Sequence, residues 1–226
     1  MQEVKPNLPW AEDHFLERVS GEPLNPPASE AWWPYARAGN AEHKNGEKFH
    51  HTYPERIWPK GAGDGVQWEN DLPYVNDLHF GWVRHHNHGI RYAYGDLKDV
   101  VDQLAKNPLT RQAYLPIWFP EDTGACGVEG QRVPCTLGYH FLSRFGRMDI
   151  VYYIRSCDLL RHFTDDVYMA ARLLQWMCYQ LNARSHDIVP GKLVMHISSL
   201  HIFRGDYMRV NRMIEEWEEP TYGAAV

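Results

Sequence analysis

The chain has 226 residues, 44% of them hydrophobic, and a formal net charge of −6. That length and composition suit one globular domain with a full core and exclude a disordered chain. The acidic balance excludes an overall basic surface that grips polymeric nucleic acid, yet it leaves room for a local arginine cluster around a mononucleotide.

Residues 1–80 are rich in Pro, Gly, Trp and His and show weak periodicity. They read as loops and short elements wrapped around the core, with a helix near Glu12–Val19. Leu97–Lys106 carries Leu97, Val100, Val101 and Leu104 at helical spacing and is ended by Asn107-Pro108. Gln112–Phe119 reads as a strand stopped by Pro120, and Asp122–Gly130 as a turn-rich loop. Thr136–Ser143 and Met148–Arg155 read as paired strands about a turn at 144–147. In the second strand, Ile150, Tyr152 and Ile154 face one way, and Val151, Tyr153 and Arg155 the other. Thr164 is the expected N-cap of a long core helix whose apolar positions are 167, 170, 171, 174, 177, 178 and 181. Lys192–Phe203 reads as a strand and Tyr207–Trp217 as a final helix. Strands and helices mix without regular alternation, which implies an α+β fold around one large sheet. A single domain over 1–226 is expected.

Four cysteines are present, Cys126, Cys135, Cys157 and Cys178, without metal-type pair spacing. Met1 to Trp10 is polar and does not resemble a secretory signal, and no apolar run reaches membrane-spanning length. Free thiols, a cytoplasmic setting and no membrane partner follow as expectations.

The chemistry concentrates between Val133 and Asp166. Cys135 is a candidate nucleophile if nearby cations such as Arg155 or Arg111 favour its thiolate; otherwise it is a small buried core residue. Arg155 ends an apolar strand, where a guanidinium requires a partner. Phosphate, with Ser156 adding a hydroxyl, and an ion pair with Asp158 are both open. Asp165 and Asp166 both lie in the first helical turn, where a carboxylate meets the helix dipole. Spacing does not choose which of the two faces a substrate.

These motifs together resemble the thymidylate synthase superfamily, most of all its phage deoxycytidylate hydroxymethylase branch. The resemblance rests on Cys135, on Arg155-Ser156-Cys157-Asp158, on Asp166 and on His201-Ile202-Phe203. Upstream it includes Asn107-Pro108-Leu109-Thr110-Arg111, Phe80-Gly81-Trp82 and Glu55-Arg56-Ile57-Trp58. The first fifty residues match poorly. The resemblance implies a thymidylate synthase-like fold: a large mixed sheet packed with helices, dimerising through that sheet. It implies that Cys135 attacks C6 of a pyrimidine, that Glu55 handles protons, and that methylenetetrahydrofolate is the co-substrate, with no metal. Asp158, Trp58 and Trp82 would hold the folate. Arg155, Ser156 and a partner subunit's copy of Arg111 would hold the phosphate, and His201 and Phe203 would meet the sugar.

Two departures from the synthase pattern point to cytosine. Thr136 follows the nucleophile where the synthase has His, and Asp166 stands where it has Asn. An amide matches the uracil edge, whereas a carboxyl sharing a proton with N3 matches the cytosine edge. Phe203 replaces a Tyr and Gln112 replaces a second Arg, which removes one contact each to sugar and phosphate. The expectation is a dCMP hydroxymethylase supplying modified DNA precursors, as a phage enzyme would in a bacterial host. The alternatives are a dUMP-directed enzyme of the same family, a nucleotide-binding protein without catalysis, and a metal-binding module at His50-His51 and His85-His86-Asn87-His88.

Overall fold

A computed structural model describes residues 5–32, 44–62, 95–124, 127 and 130–218. Helix α1 spans Trp10–Arg18 and is followed by a 3₁₀ turn at Ala28–Trp32. A small ribbon, β1 (Lys44–Asn45) and β2 (Lys48–Phe49), leads to α2 (Tyr53–Ile57). Thr52 and Glu55 start α2 with a reciprocal capping box. Helix α3 occupies Leu97–Lys106, as its spacing predicts, and Asp96 and Asp99 cap it in the same way. Its four predicted apolar residues are all buried.

The main sheet has four described strands in the order β3-β4-β5-β7: β3 (Tyr114–Pro116), β4 (Thr136–Arg144), β5 (Arg147–Ile154) and β7 (Val189–Ile197). β3, β4 and β5 pair antiparallel, while β7 runs parallel to β5. The β4–β5 hairpin turns tightly at Phe145 and Gly146, both with positive φ (53° and 72°), as a two-residue primed turn requires. Helix α5 (Phe163–Asn182) is the crossover that carries the chain from β5 to β7. It packs on both strands and on α1 and α3. Phe141, Met148, Ile150, Tyr152 and Ile154 from the sheet meet Leu173, Leu174, Met177 and Leu181 from α5 in one core. Each such side chain, fully buried, stabilises by roughly 1.5–3 kcal/mol. The opposite face of the sheet carries half-buried Val151 and Tyr153 and exposed Val194 and His196.

Several boundaries differ from expectation. The strand expected over Gln112–Phe119 shortens to three residues, because Ile117 and Trp118 both turn their N–H groups to Leu137 O. The loop expected from Asp122 begins instead as a short helix, α4 (Pro120–Thr123), held by a buried ion pair described below. Helix α5 starts one residue before Thr164, and His162 is the N-cap, without a side-chain cap. Its buried face also includes Met169 and Leu173, while Val167 and Ala171 are only half-buried. The strand expected over Lys192–Phe203 breaks after Ile197. Ser198 N–H still donates to Ile154 O, but Ser199 O then accepts from Cys157 N–H. The chain thereby moves from pairing with β5 to pairing with β6 (Cys157–Asp158) through β8 (Leu200–His201). The last helix, α6, spans Tyr207–Glu218. Among the described residues no helix is long and apolar enough to cross a membrane.

Candidate active site

The break between β5 and β6, the break between β7 and β8, the start of α5 and the entry to β4 converge on one cavity of about 190 Å³. Cys135, Ser156, Asp158, Asp166, His201 and Phe203 line it. These are six of the residues singled out in the sequence, from four separate segments.

Cys135 lies just before β4 and is open to the cavity. The surrounding protein nonetheless displaces much of the water, and this desolvation pushes its thiol above the ordinary range. The charge of Arg155 pulls it back, Asp166 adds to the rise and Arg132 opposes it. Arg155 is not a cavity wall. Its Nε donates to Pro134 O at 2.9 Å and its Nη2 to Val133 O at 3.1 Å, and it stacks on Trp118. Arg155 therefore holds the segment that presents Cys135, and it forms no ion pair with Asp158 among the described residues.

Asp165 and Asp166 both border the cavity but take different partners. Asp165 accepts from Asn7 N (2.7 Å) and Asn7 Nδ2 (2.8 Å), which ties the N-terminal segment to α5. Asp166 faces inward, within reach of Tyr152 Oη at 3.4 Å and Cys157 Sγ at 3.6 Å. Burial pushes its carboxyl up to about 6, against the opposing charge of Arg18. Its buried neighbour Cys157 is held protonated by burial and by Asp166 itself.

Asp158 is 3% exposed. Its Oδ1 accepts from Leu160 N (2.8 Å) and Arg161 N (3.0 Å), closing the turn before α5. Its Oδ2 is buried without a hydrogen-bond partner, 3.7 Å from Arg161 Nε. An acceptor left open in this way suits a donor N–H from a ligand. His201 stands edge-on to Phe203 at 5.2 Å, and its Nδ1 lies 3.4 Å from Ser199 O.

Other expected residues lie elsewhere. Thr136 is fully buried and faces the core, where its hydroxyl meets Tyr152 Oη at 2.8 Å and donates to Tyr53 Oη at 3.3 Å. Strand alternation sends Cys135 and Thr136 to opposite sides. Glu55 is outside the cavity lining. Its Oε2 caps Thr52 N (3.0 Å) and accepts from Asn25 Nδ2 (2.9 Å). Trp58 donates to Arg18 O at 2.9 Å and borders a separate hollow with Lys60 and Trp176. Arg111 is exposed, and its carbonyl accepts from His140 Nε2 at 3.1 Å. Phe80-Gly81-Trp82 and the histidines at 85, 86 and 88 fall outside the described residues. His50 Nδ1 accepts from Arg132 N at 3.2 Å. Among the described residues no group of three His, Cys, Asp or Glu is placed to hold a metal ion.

A family model for thymidylate synthase matches residues 40–222. The chain belongs to the thymidylate synthase family. Thymidylate synthases from Rhodopseudomonas palustris and Rhizorhabdus wittichii are 27% and 28% identical to it over 128 and 140 residues. Those stretches cover 56% and 62% of this chain and 40% and 41% of the bacterial proteins. The bifunctional dihydrofolate reductase-thymidylate synthase of Zea mays is 23% identical over 156 residues, 69% of this chain and 27% of the maize protein. The matched stretches thus span less than half the length of these relatives.

The thymidylate synthase match begins after α1 and the 3₁₀ turn, yet these segments also build the cavity. Trp10, His14, Arg18 and Glu30 line it, as do Tyr53 and Arg132. The sequence offered one signal for this. Trp10, His14 and Arg18 recur every fourth residue, so a helix places them on one face. A polar pair on the buried side of an amphipathic helix marks a site or a network.

Proposed function

We propose that this cavity attaches a hydroxymethyl group to C5 of deoxycytidylate, with methylenetetrahydrofolate as co-substrate. The observation that carries the reading is Asp166, a cavity-lining carboxyl pushed up to about 6 by burial, in the same cavity as Cys135. Near neutral pH such a group exchanges its proton readily. Protonated, it donates to cytosine N3 while its other oxygen accepts from the 4-amino group. Facing uracil, an ionised carboxylate would oppose O4 with a second acceptor, at a cost of about 1–3 kcal/mol.

Cys135, as thiolate, would add to C6, and the C5=C6 electron pair would move to C5. Arg155 favours that thiolate through its charge and fixes the loop that carries it. The co-substrate supplies a one-carbon unit at the oxidation level of formaldehyde, to which C5 bonds. Loss of the C5 proton breaks the bond between the one-carbon unit and the folate nitrogen, so tetrahydrofolate leaves and C5 carries an exocyclic methylene. Water adds to that methylene as the hydroxyl group, and expulsion of the thiolate restores the ring double bond. Glu30 is the cavity carboxylate that would handle the C5 proton, the part the resemblance gave to Glu55. Asp158 and Asp165 are committed to the turn before α5 and to Asn7. Burial pushes the Glu30 carboxyl above its ordinary range, against the charges of Arg132 and Arg18, the direction that favours proton transfer. Asp158 Oδ2 is the acceptor left for the folate, and Ser156 and His201 are the polar groups left for phosphate and sugar. Arg111 would reach the phosphate from a second copy, joined through the outer sheet face around Tyr153 and His196.

A uracil-directed enzyme is the second reading, favoured by the relatives that carry the name thymidylate synthase. Mass analysis of the nucleotide formed from dCMP, methylenetetrahydrofolate and enzyme separates the two. A gain of CH2O on dCMP is expected, together with a Cys135→Ala variant that binds dCMP but releases no tritium from C5. Turnover of dUMP alone would refute the cytosine assignment.

A further inference from the structure

Arg18 lies on α1, outside the residues matched by the family model. Its neighbours on the same helix face have partners. Trp10 Nε1 donates to Ser29 O at 3.0 Å. His14 stacks on Trp10 at 4.9 Å, with Nδ1 at 2.8 Å from Ser29 Oγ, which itself donates to Glu17. Arg18 has no such arrangement. It is 6% exposed and lines the cavity, and its Nε is buried without a hydrogen-bond partner. Its guanidinium lies 4.1 Å over the Tyr53 ring, and among the described residues no carboxylate pairs with it. A buried guanidinium without a carboxylate is costly to the free protein. A ligand acceptor entering the cavity would complete it.

We propose that Arg18 is the donor half of the base-recognition pair, reading the N3–C4 edge of a pyrimidine together with Asp166 as acceptor. This rests on the reading that the cavity takes a pyrimidine mononucleotide. The cytosine edge offers one donor, the 4-amino group, and one acceptor, N3. An ionised Asp166 has only acceptors, so it can meet the amino group but leaves N3 unpaired. A guanidinium N–H from Arg18 meets N3 without any proton on Asp166. The two groups together therefore keep cytosine bound on both sides of the Asp166 titration.

The charged and titratable groups around Asp166 come from every element packed against it. They are Arg18 on α1, Tyr53 on α2, Cys135 and Tyr139 at β4, Tyr152 on β5, Cys157 on β6, Asp165 beside it and His162 at the start of α5. The His162 carbonyl accepts from Asp166 N, and burial keeps its imidazole towards the neutral form. Arg18 is the cation among them, and it opposes the upward push of burial on the Asp166 carboxyl.

The test is calorimetric titration of the full chain with dCMP from pH 5 to 8.5. Wild type should bind with little pH dependence. Arg18→Met, which keeps the length and removes the donors, should bind only where Asp166 is protonated. Its affinity should fall about tenfold to a hundredfold across a limb centred above pH 6, the cost of an unpaired buried acceptor. Arg18→Lys should restore binding at high pH in part. Guanidinium ion added to Arg18→Ala should do so as well, a rescue that a purely structural role would not show. Thermal unfolding of Arg18→Met checks the fold, and removal of an unsatisfied buried cation should not lower its midpoint. Wild-type affinity and pH profile in Arg18→Met would overturn the proposal alone. Failure of wild type to bind any pyrimidine nucleotide would overturn it together with the functional reading.

Discussion

Asp166→Asn should make the protein more stable at pH 8 and change nothing at pH 4. The folded carboxyl sits at about 6, against an ordinary value of 3.8, chiefly because burial penalises its charge. At roughly 1.4 kcal/mol per pH unit this corresponds to a penalty of at most about 3 kcal/mol once the group ionises. Between pH 4 and 6 the unfolded chain has lost this proton while the folded chain keeps it. The folded state then binds more protons, so stability falls as pH rises through the window, and the loss is complete above about pH 7. Asparagine has the same shape and no charge, so the variant lacks this slope. Buried His14 contributes the opposite sign over an overlapping range, because its folded value is lowered to about 4. The quantity to follow is therefore the difference between variant and wild type, from urea unfolding at half-unit steps from pH 4 to 8. That difference should grow from near zero to about 2–3 kcal/mol. A difference that stays constant with pH would refute the claim that Asp166 is ionised against a desolvation penalty. The same penalty makes the residue useful, since a carboxyl that is costly to ionise is one that can share a proton with a base at neutral pH.

Asp122→Ala should be among the most destabilising single changes in the chain. Both Asp122 oxygens accept from Arg56 at 2.7 Å, Oδ2 also caps Phe119 N at 2.7 Å, and both side chains are buried. Stranding that arginine should cost about 3–5 kcal/mol by denaturant unfolding, and a loss under about 1 kcal/mol would show that the pair is solvated. Arg155→Met should slow alkylation of Cys135 by iodoacetamide at pH 7.5, read by peptide mass mapping, and shift its pH midpoint upward, because the cation that favours the thiolate is gone. An unchanged midpoint would assign that effect to Arg132 instead.

Much of the secondary structure could be read from local pattern. Leu97–Lys106 announces itself by apolar spacing and an Asn-Pro stop, and the β4–β5 hairpin by alternation about Phe145-Gly146, because periodicity and turn chemistry act over a few residues. The same locality explains the errors. Thr164 looks like a cap, but Asp158 closes the preceding turn and the helix starts at Phe163. Glu55 looks like a site acid, but the backbone of Thr52 and the side chain of Asn25 claim its carboxylate.

The one-dimensional chain determined which chemistry is available: a thiol at 135, carboxyls at 158, 165 and 166, and the arginines near them. Tertiary packing alone decided how they divide the work. Asp165 and Asp166 are indistinguishable by spacing, and a helix step of about 100° turns one to Asn7 and the other to Tyr152 and Cys157. Arg155 was drawn to main-chain carbonyls, and Arg18, from a helix outside the family motifs, became a buried cation whose charge acts on Asp166. Charge and desolvation depend on what approaches from distant parts of the chain, and neighbours in sequence do not reveal that.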